Sequence, residues 1–242
     1  MDKKLTLVGI VHTDPNGEIR LVRAVDKLKP KYLTVEADEN CVPLSRGFVE
    51  DIVSFLGNDD TLKLHEFQLK TLKNDLHNYG FETKVASNYK KTGTPKVLLI
   101  DENVPQTKKY QTSKNKTSDI PNVVREHNEL AYSTYQYLSQ IKGLQNKRTT
   151  AFISHYLAIS CFNEQEREVI INHKYNEPIN NISPTSEQRD EIMGSKIRNL
   201  WNETDGDIMH VGGIEHLFGN YNNLYEILKD INPTRYKLNE IE

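Results

Sequence analysis

The sequence predicts an α/β fold: a mostly parallel sheet flanked by helices, with a helical insertion. Three observations predict it. Short apolar runs rich in β-formers recur at "KLTLVGIV", "KYLTV", "KVLLI" and "DIMHV". Between the first two stands "EIRLVRAVDKLKP", with Ile19, Val22, Val25 and Leu28 at helical spacing and Pro30 as its stop. Strand, helix and strand within about 35 residues make a βαβ unit, whose strands run parallel.

The elements follow in order. Strands are expected near 4–11, 32–36, 96–100 and 207–211. "RGFVEDIVSFLG" reads as a short helix. "HEFQLKTLKNDLHNYG" reads as another, striped by Leu69, Leu72, Leu76 and Tyr79 and stopped at Gly80. "FETKVASNYKKTG" gives a third helix through Phe81, Val85 and Tyr89, closed by Gly93. "PQTKKYQTSKNKTSD" has no apolar periodicity and a local positive charge, so it reads as a mobile loop at the rim of any site beyond the third strand. "NVVREHNELAYSTYQYLSQIKG" is a long helix, with Tyr132, Tyr135 and Tyr137 expected to supply core contacts. "TTAFISHYLAI" fits strand or helix equally, and "REVIINHKY" reads as strand. "SPTSEQRDEIMGSKIRNLWNE" is a helix with Pro184 near its start and a Thr185–Gln188 capping box. "NYNNLYEILKD" closes the chain as a helix. The whole of 1–242 reads as one domain, with 104–182 as a helical or loop insertion.

Composition bounds the function. With 27% charged residues and a net charge of −3, bulk charge favours neither nucleic acid nor an anionic membrane surface. Cys41 and Cys161 make no disulfide framework, which points to a reducing compartment. No stretch approaches the length of a membrane span. A cytoplasmic protein without nucleic-acid or membrane partners is expected.

Two distant apolar runs end in the same Gly-x-x-His figure, Gly9 to His12 and Gly213 to His216. Glu36 stands at the end of the second strand. In a parallel sheet these three strand ends share one edge, the edge at which ligands of open α/β sheets bind. Gly9, Gly212 and Gly213 would allow a sharp turn or a close approach there, and Gly212 and Gly213 would free N–H groups to face an anion. Taken singly, each histidine fits a hydrogen-bonded strand end just as well. Arg189, Met193 and Ile197 share one helix face, so the guanidinium either needs a carboxylate or an anionic ligand or snorkels out to solvent from the first turn. Two imidazoles and a carboxylate could hold a divalent ion and a water, with zinc, manganese or cobalt suiting mixed N and O ligands. A metal-free version has His12 as general base, held by Glu36.

In this succession the motifs resemble the TraB/PrgY/Tiki family, and more remotely the erythromycin-esterase and ChaN-like proteins. The matching residues are "GIVH", the Val-Glu of "PKYLTVEAD", the Gly-x-Glu of Gly80 and Glu82, the Ile-Asp of "LLIDEN", the Arg-Asp of "EQRDEIMGSKI" and "VGGIEHLFG". The likeness spans nearly the whole chain. It implies an α/β domain and, for Tiki-like members, a divalent-metal-dependent peptidase. Relatives hydrolyse a lactone ester or bind haem. Carried over by motif, the metal ligands would be His12, Glu36 and His216, and the catalytic residues Glu36, Glu82 and Arg189. Asp101 is followed by Glu102 and Asn103 where the family usually has Arg, and Arg46 comes late after Glu36, which weighs against an anionic substrate. The substrate would be a peptide or a small molecule. The alternative is a non-catalytic module that captures a peptide or haem, using the basic loop Lys108 to Lys116 and the Tyr-rich helix from Asn122.

Overall fold

A computed structural model describes residues 3–37, 46–59, 62–102, 120–141, 147–177, 179 and 185–241. The chain divides into two compact units, one from Met1–Val42, Gly80–Lys116 and Glu177–Glu242, the other from Pro43–Tyr79 and Thr117–Asn176. The expected mobile loop at Pro105–Asp119 lies outside the described residues.

The first unit is built on a five-stranded, all-parallel sheet. Its strands are β1 (Leu5–Ile10), β2 (Tyr32–Val35), β3 (Lys96–Leu99), β4 (Ile208–Gly213) and β5 (Thr234–Lys237), in the order β3-β2-β4-β1-β5. Strand β4 lies between β1 and β2, so the first βαβ unit skips one position. The central strand β4 is buried along its whole length, as expected for a sheet covered on both faces. The edge strand β5, "TRYK", was not among the expected strands. It is short, polar and mostly exposed, so it carries no apolar run to read.

Helix α1 (Gly17–Leu28) packs against α4 (Phe81–Thr92). The later part of the chain supplies α8 (Ser186–Glu203) and the single-turn helices α9 (Glu215–Phe218) and α10 (Leu224–Ile227). One core cluster joins Leu5, Leu7 and Ile208 of the sheet to Met193 and Ile197 of α8 and to Leu217, Leu224 and Leu228. Thr185 makes no side-chain cap to α8, so the expected capping box does not form. The expected closing helix is one turn, α10, followed by a 3₁₀ turn at Lys229–Ile231.

The second unit is helical: α2 (Arg46–Gly57), α3 (Glu66–His77), α5 (Asn122–Leu138), α6 (Lys147–Ser160) and α7 (Glu164–Asn176). The "TTAFISHYLAI" run lies in α6 and is helix. "REVIINHKY" is also helix, not strand. Its β-branched content is overridden by a reciprocal cap, in which the Glu166 N–H donates to Asn163 Oδ1 and the Asn163 N–H to Glu166 Oε2, both at 3.0 Å. Ile170, Ile171 and Tyr175 then fall on one buried side. In α5, Tyr132 is 65% exposed and is no core residue; Val124, His127, Ala131, Thr134 and Leu138 are the buried positions.

Two imidazoles are stacked inside this unit. The rings of His127 and His155 lie 5.6 Å apart and 20° from parallel. His127 Nε2 and His155 Nδ1 are buried without a partner among the described residues. Burial, with Lys174 nearby, pushes His127 down to about 4 and His155 well below the ordinary histidine range. Asp75, raised to about 6 by burial against the pull of Arg167, works in the opposite sense. A histidine with a depressed folded pKa contributes stability that is present above about pH 6.5 and is lost as pH falls toward its folded value. Within this unit two such groups outweigh the one carboxylate. Chemical denaturation followed by circular dichroism is expected to show His127→Phe losing about 1–2 kcal/mol less stability than the wild type between pH 7.5 and pH 5. An equal loss in both would remove His127 as a cause.

Candidate functional site

Because every strand of the sheet runs the same way, their carboxyl ends meet at one edge. His12 follows β1, Glu36 follows β2, Asp101 follows β3 by two residues, and Gly213 ends β4. His216 arrives on α9, directly after β4. Arg189 and Asp190 come from the N-terminal part of α8, and Glu82 from the first turn of α4.

Glu36 sits in the middle. Its side chain is 5% exposed, and both carboxylate oxygens are engaged. Oε1 accepts from Arg189 Nη2 at 2.5 Å and lies 3.2 Å from His216 Nε2. Oε2 accepts the backbone N–H of Gly213 at 2.5 Å. Arg189 also grips Asp101 with two nitrogens, Nε to Oδ1 at 3.0 Å and Nη2 to Oδ2 at 2.6 Å. Its Nη1 carries no hydrogen bond among the described residues. Met193 and Ile197, on the same face of α8, are fully buried. The expectation that this arginine needs a carboxylate is met twice.

Each histidine of the Gly-x-x-His pair has one nitrogen held by an acid. His12 Nδ1 lies 3.1 Å from Glu82 Oε1. The base expected to be held by Glu36 is therefore held by Glu82, because Glu36 is committed to Arg189 and Gly213. His216 Nδ1 lies 2.5 Å from Asp190 Oδ1, and Asp190 Oδ2 accepts the Tyr221 hydroxyl at 2.7 Å. The remaining ring edges converge. A β-carbon placed on Gly213 would stand 3.1 Å from His12 Nε2, 3.3 Å from Glu36 Oε2 and 3.5 Å from His216 Cδ2. The structure thus brings His12, Glu36, Glu82, Arg189 and His216 to one place.

The charges follow from the contacts. Burial pushes the Glu36 carboxyl up, but His216, Arg189 and His12 together hold it well below the ordinary carboxylate range. Burial pushes His216 down, yet Glu36 and Asp190 raise it well above the ordinary histidine value, so it stands as an imidazolium. Asp190 is raised by burial against the pull of His216 and Tyr221. Arg189 loses some of its affinity for the proton to burial and more than regains it from Glu36 and Asp101.

The strand-end reading did not pick out Asp101, Asp190, Tyr221 or His210 as site residues. Asp101 and Asp190 stand inside the Ile-Asp and Arg-Asp figures and were the readable ones. His210, within β4, is fully buried, with Nδ1 3.1 Å from Thr34 Oγ1.

The donor types that the sequence assigned to a divalent ion are present, but their arrangement does not make a cage for one. Both oxygens of Glu36 are taken, one by a permanent cation, and among the described residues no three His, Cys, Asp or Glu side chains form a metal-binding group. Compared with models of protein families, with curated proteins and with solved structures, the chain matches none. The TraB/PrgY/Tiki likeness therefore rests on the order of its short motifs.

The glycines give a direct test of this packing. A β-carbon at Gly212 would meet His210 Nε2 at 2.8 Å and Glu36 Oε2 at 3.0 Å, whereas one at Gly47 in α2 would meet nothing within 4 Å. Gly212→Ala is expected to lower stability in thermal denaturation by about 1–3 kcal/mol. Gly47→Ala should raise it by about 0.4–1 kcal/mol.

Proposed function

We propose that the chain is a hydrolase that cleaves a peptide or ester carbonyl with His12 as general base. The observation that carries this reading is the His12–Glu82 pair, with Nδ1 held by a carboxylate while Nε2 faces the point shared with Glu36 and His216. Among the groups around Glu36, His12 is also the most open, at 28% exposure against 18% for Arg189 and 1% for His216. The group that meets water is therefore His12.

In its neutral form His12 takes a proton from water at Nε2 as the water oxygen attacks the carbonyl carbon. Glu82 fixes the ring and steadies the imidazolium that results. The oxyanion develops beside Arg189, whose Nη1 makes no hydrogen bond among the described residues, and the His216 imidazolium adds positive charge nearby. When the tetrahedral intermediate collapses, His12 returns the proton to the departing alkoxide or amine. Glu36 does not take part in proton transfer; it fixes Arg189 and His216 in place.

The test is hydrolysis of a panel of p-nitrophenyl esters and fluorogenic peptides. His12→Ala is expected to lower kcat/KM by about 10²–10⁴-fold, with a smaller loss in Glu82→Gln, both variants keeping the wild-type melting temperature. Equal activity in wild type and His12→Ala would end this reading. Zinc, manganese and cobalt are measured on untagged protein at the same time. One ion per chain, lost in His216→Ala, would replace the metal-free reaction with a metal-dependent one, and a Soret band would establish haem capture.

A further inference from the structure

One buried titratable group near the site has no part in this reaction. His210 stands in the central strand β4, paired in register with Thr34 of β2 and Leu7 of β1, and is fully buried. An apolar residue would cost less there, since an imidazole taken out of water needs partners for both nitrogens. Nδ1 has one, Thr34 Oγ1 at 3.1 Å. Nε2 is buried and has no hydrogen-bond partner among the described residues. It and Glu36 Oε2 both border Gly212: the point where a β-carbon of residue 212 would stand is 2.8 Å from Nε2 and 3.0 Å from Oε2, and the two groups interact through their charge distributions. Only the missing side chain at Gly212 lets the two groups face each other.

We propose that His210 is a positioning residue for Glu36, its Nε2–H facing Oε2 and keeping the carboxylate turned toward Gly213 and Arg189. The proposal rests on the reading of Glu36 as the anchor of the site. Its chemistry lies in which nitrogen carries the proton. If Nδ1 carried it, the lone pair of Nε2 would face a buried anion, two negative ends in a medium of low dielectric. If the Thr34 hydroxyl donates to Nδ1, the proton sits on Nε2 and its positive end faces the carboxylate. Thr34 has one hydroxyl proton, and its other acceptor, the Met209 carbonyl, is farther away at 3.5 Å. On this assignment the shorter contact takes the hydroxyl proton, and the side chain of Thr34, itself fully buried, sets the tautomer. Burial pushes His210 down to about 4, with Glu36 pulling up and His216 pushing down, so the ring is a neutral dipole at physiological pH. A neutral donor suits the place. A third cation beside Arg189 and His216 would compete with them for Glu36, whereas an N–H dipole orients the carboxylate and leaves both ion pairs intact.

Long-range ¹H–¹⁵N correlation spectra of histidine-labelled protein at pH 7 test this, together with the amide spectrum. The wild-type protein is expected to show His210 as a single neutral Nε2–H tautomer. It should also show a far-downfield Gly213 amide proton, from its short bond to Glu36. Thr34→Val should lose the single tautomer. In His210→Leu the Gly213 amide should move upfield, and in His210→Gln, which keeps an N–H at similar reach, it should move back. An Nδ1–H tautomer in the wild type, or an unmoved Gly213 amide in folded His210→Leu, overturns the proposal. If His210→Leu does not fold, the Thr34→Val tautomer decides alone, and a tautomer unchanged from wild type counts against it. None of these readouts depends on turnover, so failure of the hydrolase reading would show separately, in the ester and peptide assays.

Discussion

A carboxylate held ionised inside the sheet edge is the constraint on which the rest of the site depends. Removing such a group from water costs several kcal/mol, and the loss is offset only by charge-assisted bonds of good geometry. Glu36 has two, from a guanidinium and a backbone N–H, and an imidazolium nitrogen stands 3.2 Å away as an ion pair. Each donor places a demand on the fold. Arg189 must stand on the inward face of α8, where Met193 and Ile197 also point, and its remaining charge is then taken by Asp101. His216 must be carried on a turn close enough to β4 to reach back to Glu36. Its other nitrogen goes to Asp190, the residue next to Arg189. Two consecutive residues of one helix differ in direction by about 100°, which is why Arg189 and Asp190 can serve two different partners.

The parallel sheet makes this gathering economical. Strands that run the same way deliver their last residues to one edge, so β1, β2, β3 and β4 bring His12, Glu36, Asp101 and Gly213 together. Strand β4 sits between β2 and β1 and so puts the Gly213 N–H beside the Glu36 carboxylate. An antiparallel pairing of β4 with β2 would place that N–H at the opposite edge.

How far the sequence carried the reading depends on whether a residue's partner was local. The βαβ spacing and the apolar runs located four of the five strands: β1, β2 and β4 are mostly buried, and the edge strand β3, though half-exposed, still carries the apolar run of Val97, Leu98 and Leu99. The edge strand β5 has no such run and was silent. His12, Glu36 and His216 were readable because strand ends in a parallel sheet share an edge, and Arg189 because a guanidinium on an apolar stripe calls for an acid. The identity of that acid was not readable: Asp101 lies 88 residues from Arg189, and no periodicity links them. The pairing of His12 with Glu82 rather than Glu36 was hidden for the same reason. His210 carried a usable sign, an ionisable residue inside an otherwise apolar strand, and the strand reading passed over it. In α7 the Asn-x-x-Glu figure at 163–166 was a local helix start that deserved more weight than the β-branched run after it.

The two Gly-x-x-His figures also show that a shared motif does not impose a shared role. His12 is partly exposed and has one acid at its Nδ1; His216 is sealed in, with acids on both sides. Burial alone would favour a neutral ring at His216, more strongly than at His12. The two flanking carboxylates reverse that preference, since in a dry site the attraction of an anion near each nitrogen, one hydrogen-bonded at Nδ1 and one 3.2 Å from Nε2, exceeds the loss of hydration. His216 therefore holds its proton, while His12, at 28% exposure, is the more accessible ring. Identical motifs thus place one ring between two acids in the dry interior and the other, among the described residues, beside one acid at a half-open position.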